Sequence, residues 1–173
     1  MKKLFLFCNL FLLVFISTAQ EKTTTFPNDF LGIYKGTLQI HSPRGKQEIP
    51  MEFHMVKTDS VHKFDYKLVY NGQPRNYTLL VKDSAKGIYE IDENNGIILP
   101  SKLANNTLYS FFEVQGNFLS SRLAFSENQL EFEILFTATK NKTTTGKGTE
   151  EIPFVYGYPI SVVQKAVLKR KVN

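Results

Sequence analysis

Apolar and polar residues alternate with a period of two along almost the whole chain after its first 28 residues, and a chain written this way buries its apolar side chains only as β-strands with one face turned inward. In Phe30 to Ile40 the even positions carry Phe30, Tyr34, Leu38 and Ile40, while Lys35, Thr37 and Gln39 fall on the other face. Ser42-Pro43-Arg44-Gly45 is a turn, after which Ile49, Met51, Phe53 and Met55 alternate with Glu52 and His54. The clearest hairpin follows: Phe64, Tyr66, Leu68 and Tyr70, a turn at Asn71-Gly72, then Tyr77, Leu79 and Val81. Ile88 to Ile91 and Ile97 to Leu99 flank Asn95-Gly96, a pair that tolerates the positive φ of tight turns.

The second half repeats the scheme with Leu108 to Val114, Phe118 to Phe125 and Leu130 to Ala138, separated by turns at 115–117 and 126–128. Residues 139–151 hold only Thr, Lys, Asn, Gly and Glu and read as a mobile polar loop. Ile152 to Tyr156 and Ile160 to Arg170 read as two last strands, with Pro153 and Pro159 marking edges or bends. The pattern predicts an all-β domain of about ten strands with no helical period. Short sequential connections favour an antiparallel up-and-down meander closed into a barrel of about 8–10 strands; a β-sandwich is the alternative that also removes exposed edges.

The first residues read differently. Lys2 and Lys3 precede an apolar run, Leu4 to Ile16, and Ser17-Thr18-Ala19 offers small residues for cleavage, so residues 1–19 are expected to be a signal peptide. The run is short for a transmembrane span and no later stretch is longer, so the chain is not expected to span a membrane. Cys8, the single cysteine, leaves with the signal, and Leu6-Phe7 before it makes a poor lipobox; the mature chain then has no disulfide and no thiol. Residues 20–28 are expected as a flexible N-terminal segment, and 29–173 as one barrel domain. Loss of the signal leaves 19 basic against 16 acidic residues. The basic residues are scattered, apart from Lys169-Arg170-Lys171, so the chain lacks the dense basic stripe of a nucleic-acid-binding surface.

Gly32-Ile33-Tyr34, preceded by Phe30, resembles the Gly-x-Trp opening of lipocalins and other calycins, with Tyr in place of Trp. The resemblance implies a barrel base at Tyr34, with Arg170 of the last strand packing across the ring in a cation–π contact; a solvated basic tail is the alternative reading of Arg170. The Ala-Gln signal ending and the richness in Lys, Asn and Phe resemble secreted proteins of the Bacteroidetes. Asp59-Ser60-Val61 and Asp83-Ser84-Ala85, both in turns, are similar to the O-glycosylation sites of that group.

Signals of catalysis are sparse. His41, His54 and His62 lack the close spacing of a metal site, and neither a metal nor a cofactor is implied. No nucleophile motif appears. Glu90, Asp92 and Glu93 form one acidic hairpin tip, which would serve a hydrolase only if the carboxylates were held across from one another. More informative is the inward face, where tyrosines are interspersed with phenylalanines as in an apolar pocket with a few orienting hydroxyls. The expected function is an exported, non-enzymatic module holding a small apolar molecule, with Tyr66, Tyr70 and Tyr77 as polar contacts and Phe112, Phe125 and Phe132 as wall. The alternatives are a structural or interaction protein of the cell envelope with a solid core, and a hydrolase using residues 90–93.

Overall fold

The computed structural model describes residues 25–171. The expected signal peptide, residues 1–19, and residues 20–24 of the N-terminal segment lie outside the described residues. Ten antiparallel strands close into one barrel. They are β1 (Gly32–Ser42), β2 (Gly45–Lys57), β3 (Lys63–Tyr70), β4 (Gln73–Asp83), β5 (Ile88–Asp92), β6 (Ile98–Ala104), β7 (Thr107–Val114), β8 (Asn117–Ser126), β9 (Gln129–Ala138) and, closing the ring, β12 (Val162–Arg170). Between β9 and β12 the chain leaves the barrel to form a two-stranded excursion of β10 (Thr143–Thr145) and β11 (Val155–Gly157). Each strand pairs with its predecessor up to β9, and β12 pairs with both β9 and β1, so the meander is closed and no sandwich forms.

The hairpin turns are set by residues that accept positive φ. Asn71-Gly72, Asn105-Asn106 and Gln115-Gly116 each place two successive residues there, and each is a two-residue connection between paired strands. That is the handedness that matches the twist of the flanking strands. β6 is longer than the alternation implies because it runs through Pro100, Ser101 and Lys102, whose order hides the period. His41 lies within β1 rather than in a turn. Ser60 and Ser84 do fall in turns, between β2 and β3 and between β4 and β5.

Residues 25–28, expected to be flexible, are seated against one end of the barrel. Phe26 is 7% exposed and Phe30, in the short 3-10 turn Asn28–Phe30, is 2% exposed. Their rings meet Phe125 with centroids at 5.2 and 5.5 Å, and Phe26 meets Tyr89 edge-on at 5.2 Å. Burying two phenylalanines contributes roughly 1.5–3 kcal/mol apiece, and the carbonyls of Phe26, Asp29 and Phe30 add hydrogen bonds from Tyr89, Arg170 and Tyr34 of the barrel. The excursion is likewise more ordered than a mobile loop. Thr143, Thr144 and Thr145 pair with Gly157, Tyr156 and Val155, and Thr137 on β9 donates to the Pro159 carbonyl at 2.7 Å. The strand expected at Ile152 to Tyr156 is therefore shorter, shifted to Val155–Gly157, and outside the barrel; its partner is a threonine triplet whose alternation carries no apolar face.

The base also involves Tyr34 and Arg170, which face each other across β1 and β12. Arg170 does not lie over the Tyr34 ring. Its guanidinium donates to the carbonyls of Asp29 and Glu127, each at 3.3 Å, and to that of Leu31. Among the described residues the cation–π contacts fall elsewhere, Arg75 on Tyr70 and Lys142 on Tyr156. The departure has a local cause: the carbonyls at the end of the 3-10 turn are free acceptors, and a guanidinium gains more from directed hydrogen bonds to them than from a ring face. Gly32 makes room for it. At φ +150° a Cβ there would lie 3.0 Å from Arg170 Nε.

If the plug seals the base, Phe30→Ala removes a buried ring from a site with little freedom to collapse and is expected to cost about 3–5 kcal/mol. Urea unfolding followed by tyrosine fluorescence measures it; a loss below about 1 kcal/mol would show that the segment merely rests on the barrel.

Candidate functional site

Opposite the base the barrel interior is open. A cavity of about 240 Å³ enters it, walled by Tyr66, Leu68, Tyr70 and Tyr77 from β3 and β4, and by Phe112, Leu119, Leu123, Phe132 and Ile134 from β7, β8 and β9. Arg75 and Glu93 stand among its lining, and Ser110 and Ser121 put hydroxyls on the aliphatic side. Strand register explains the grouping. Tyr66 is opposite Tyr77, Leu68 is opposite Arg75, and Ser110, Ser121 and Ile134 follow one another across β7, β8 and β9. Cross-strand neighbours share a face, so residues far apart in sequence become one wall.

Of the residues expected to touch a ligand, Tyr66, Tyr70, Tyr77, Phe112 and Phe132 line this cavity. Phe125 does not. It packs at the base against Phe26, Phe30 and Phe53, because alternation assigns a residue to the inside of a barrel without saying at which height. Arg75 was not anticipated, and Glu93 was read only as part of the acidic tip; the signal for Arg75 was parity, since it falls on the same face as Tyr77.

The tyrosines of the two ends behave differently. At the base, the Tyr34 hydroxyl donates to the Phe30 carbonyl at 2.8 Å and the Tyr89 hydroxyl to the Phe26 carbonyl at 3.4 Å. In the cavity, the hydroxyls of Tyr66, Tyr70 and Tyr77 have no hydrogen-bond partner among the described residues, although Tyr66 is only 3% exposed. No fully enclosed side-chain oxygen or nitrogen lacks a partner among the described residues, so these hydroxyls are left to whatever fills the cavity. Burial raises the Tyr66 pKa far above its ordinary value, and the neighbouring Tyr70 and Tyr77 raise it further. Burial likewise raises Tyr70, with Tyr77 adding to the effect and Arg75 opposing it. Both are therefore neutral hydroxyls able to donate. The Arg75 guanidinium lies 5.6 Å from the centre of the Tyr70 ring and has no carboxylate within ion-pair distance among the described residues. Glu93 accepts from the Asn95 side chain at 3.3 Å.

The acidic tip is divided by the same alternation. Glu90 faces outward and pairs with Lys82 at 3.2 Å, Asp92 accepts from the backbone of Asn94 at 2.8 Å, and Glu93 alone lines the cavity. His54 lies on the outer face of β2 against Glu52 at 2.7 Å, while His41 and His62 are exposed. Among the described residues no group of three or more His, Cys, Asp or Glu side chains is placed to hold a metal ion. A broader groove of about 680 Å³ crosses the outer surface of β1, β12, β9 and β8. Four of its charges are paired, Lys165 with Glu133 at 2.7 Å and Arg122 with Glu131 at 3.2 Å, while Lys35 pairs with Glu52 and Lys169 donates to the Gln129 side chain.

No protein-family model matches the chain, and no curated protein matches it either. Among solved structures it is similar to a protein of unknown function from the DUF3598 family of Nostoc punctiforme, with a TM-score of 0.60 and 9% sequence identity over 83% of this chain. The chain spans 48% of that protein's length. At this identity the likeness shows the fold, a β-barrel, and nothing about function.

The contrast between the two sets of tyrosines is measurable. Tyr34→Phe orphans a buried carbonyl and is expected to cost about 1–3 kcal/mol at neutral pH, whereas Tyr66→Phe removes an unpartnered hydroxyl and should cost less than about 0.5 kcal/mol. Equal losses in urea unfolding would contradict the assignment. The raised values at Tyr66 and Tyr70 mean that the folded state holds these protons more tightly than the unfolded chain. Their contribution is therefore intact below the ordinary tyrosine value of 10.0 and is lost as pH rises beyond it. Urea midpoints should fall above about pH 10 in the wild type and fall less steeply in the Tyr66→Phe, Tyr70→Phe double variant.

Proposed function

We propose that this protein is an exported, non-enzymatic carrier that holds a small, mainly apolar molecule in the open end of a calycin-like barrel. The observation that carries the reading is the group of three tyrosine hydroxyls without partners among the described residues, set among apolar side chains in one cavity whose other polar lining is Arg75, Glu93, Ser110 and Ser121. None of the three is a fully enclosed unpaired group, so each hydroxyl opens to the cavity, where a ligand can reach it. A ten-strand barrel also encloses more space than the roughly eight strands that side chains alone can fill, and here the filling is concentrated at the base.

The size of the cavity narrows the cargo. About 240 Å³ is the volume of roughly eight waters at liquid density. One ring with substituents or a short chain fits within it. Export rests on residues 1–19 of the sequence, and periplasmic or released protein is expected to begin at Gln20.

A second reading, an interaction protein of the envelope, draws on the outer surface of the barrel. Phe111 is 66% exposed and stacks on Phe118 at 5.5 Å, and Phe118 meets Tyr158 at 4.9 Å, with Ile88 and Tyr109 beside Phe111. An apolar patch of this kind is a common feature of docking surfaces.

Native mass spectrometry of protein purified from its own source distinguishes the two. The carrier reading expects a bound small molecule, lost in Ser121→Phe, whose added ring occupies the cavity without touching the base. A ligand-free spectrum for wild type together with an unchanged melting temperature across a small-molecule library would reject it. N-terminal sequencing of the same sample should read from Gln20; an intact Met1 would reject export.

A further inference from the structure

The two walls of the cavity differ in chemistry, and the difference specifies one end of the cargo. β3 and β4 contribute three phenol donors, and Arg75 stands beside them with its guanidinium over the Tyr70 ring and no carboxylate partner among the described residues. β7, β8 and β9 contribute Phe112, Leu119, Leu123, Phe132 and Ile134, with Ser110 and Ser121 as the polar residues among them, the Ser110 hydroxyl being already paired with that of Ser101 at 2.7 Å. The two charged residues in the lining are Arg75 and Glu93, and they are not equivalent. Glu93 keeps its negative charge but one of its oxygens already accepts a hydrogen bond from Asn95 in its own turn, whereas the Arg75 donors have no partner among the described residues. A ligand cation is disfavoured at the tyrosines, because the Tyr70 ring face it would use is occupied by a like charge. An anion gains there from both the guanidinium and the hydroxyls, and such charge-assisted hydrogen bonds are stronger than neutral ones.

Resting on the carrier reading above, we infer that the cargo is a small monocarboxylate, its carboxylate held by Arg75 and the hydroxyls of Tyr66, Tyr70 and Tyr77, and its compact apolar body lying against β7, β8 and β9. The hydroxyls have a definite role in this arrangement. A carboxylate has about four lone-pair sites, and a guanidinium fork meets only one edge of it, so phenol donors on the other edge satisfy the remainder. The apolar wall is then left to an alkyl chain or a ring of about ten atoms.

Three probes of one length and different head group test the inference: octanoate, octan-1-ol and octylamine, titrated by calorimetry into the purified protein. The expected order is octanoate tightest, with octylamine weaker by about tenfold or more. Arg75→Met should reduce the ratio of octanoate to octan-1-ol affinity about tenfold, a ratio insensitive to general damage. Tyr66→Phe with Tyr70→Phe should weaken octanoate while the urea midpoint at neutral pH stays close to wild type. Octylamine binding as tightly as octanoate, or an unchanged ratio in Arg75→Met, overturns the carboxylate and leaves a binding cavity standing. Failure of all three probes to bind removes both the carboxylate and the carrier.

Discussion

Closure of the barrel along the seam between β1 and β12 is the constraint on which everything else depends. Tyr34 and Arg170, Lys35 and Lys169, and Gln39 and Lys165 are opposed across it, although more than 120 residues separate each pair. Gly36 permits the approach; a Cβ there would lie 2.6 Å from the Val167 carbonyl oxygen. Arg170 then ties the end of the last strand to the carbonyls of Asp29, Leu31 and Glu127. Without this seam the sheet has two open edges and no enclosed interior, and neither base nor cavity exists.

Once the ring is closed, its two ends diverge for a reason visible in the side chains. Ten strands enclose more room than rings from the walls can fill. One end receives an extra layer from the chain itself, Phe26 and Phe30, and the tyrosines there spend their hydroxyls on the backbone of that layer. The other end receives none. The same residue type, pointing into the same barrel, thus becomes structural at one height and unsatisfied at the other, and the cavity follows from that asymmetry.

Five of the six residues expected around a ligand do line one cavity, and the sixth, Phe125, shows why sequence alone could not place it. Tyr77 and Phe125 both occupy inward positions on well-formed strands, yet strand tilt and stagger carry one to the mouth and the other to the base. Arg75 and Glu93 were obscured in the opposite sense: a charged residue beside a turn reads as solvated, and only the register that sets Arg75 against Leu68 brings it to the cavity. Arg170 had the expected side of its strand but different partners, because the carbonyls that attract it come from the 3-10 turn and its C-terminal flank and from the β8–β9 turn, which no periodicity announces.

Local chemistry along the chain determined what kind of object this is. Two-residue periodicity, Asn-Gly and similar turn pairs, and aromatic inward positions are properties of neighbours in sequence, and they are enough for an antiparallel meander with one apolar face. Which end of the barrel is sealed, which hydroxyls find partners and which charges reach the interior were decided only in three dimensions. Those outcomes depend on shear, on the closing seam and on where the N-terminal segment settles, and each is a relation between residues that the linear pattern leaves unlinked.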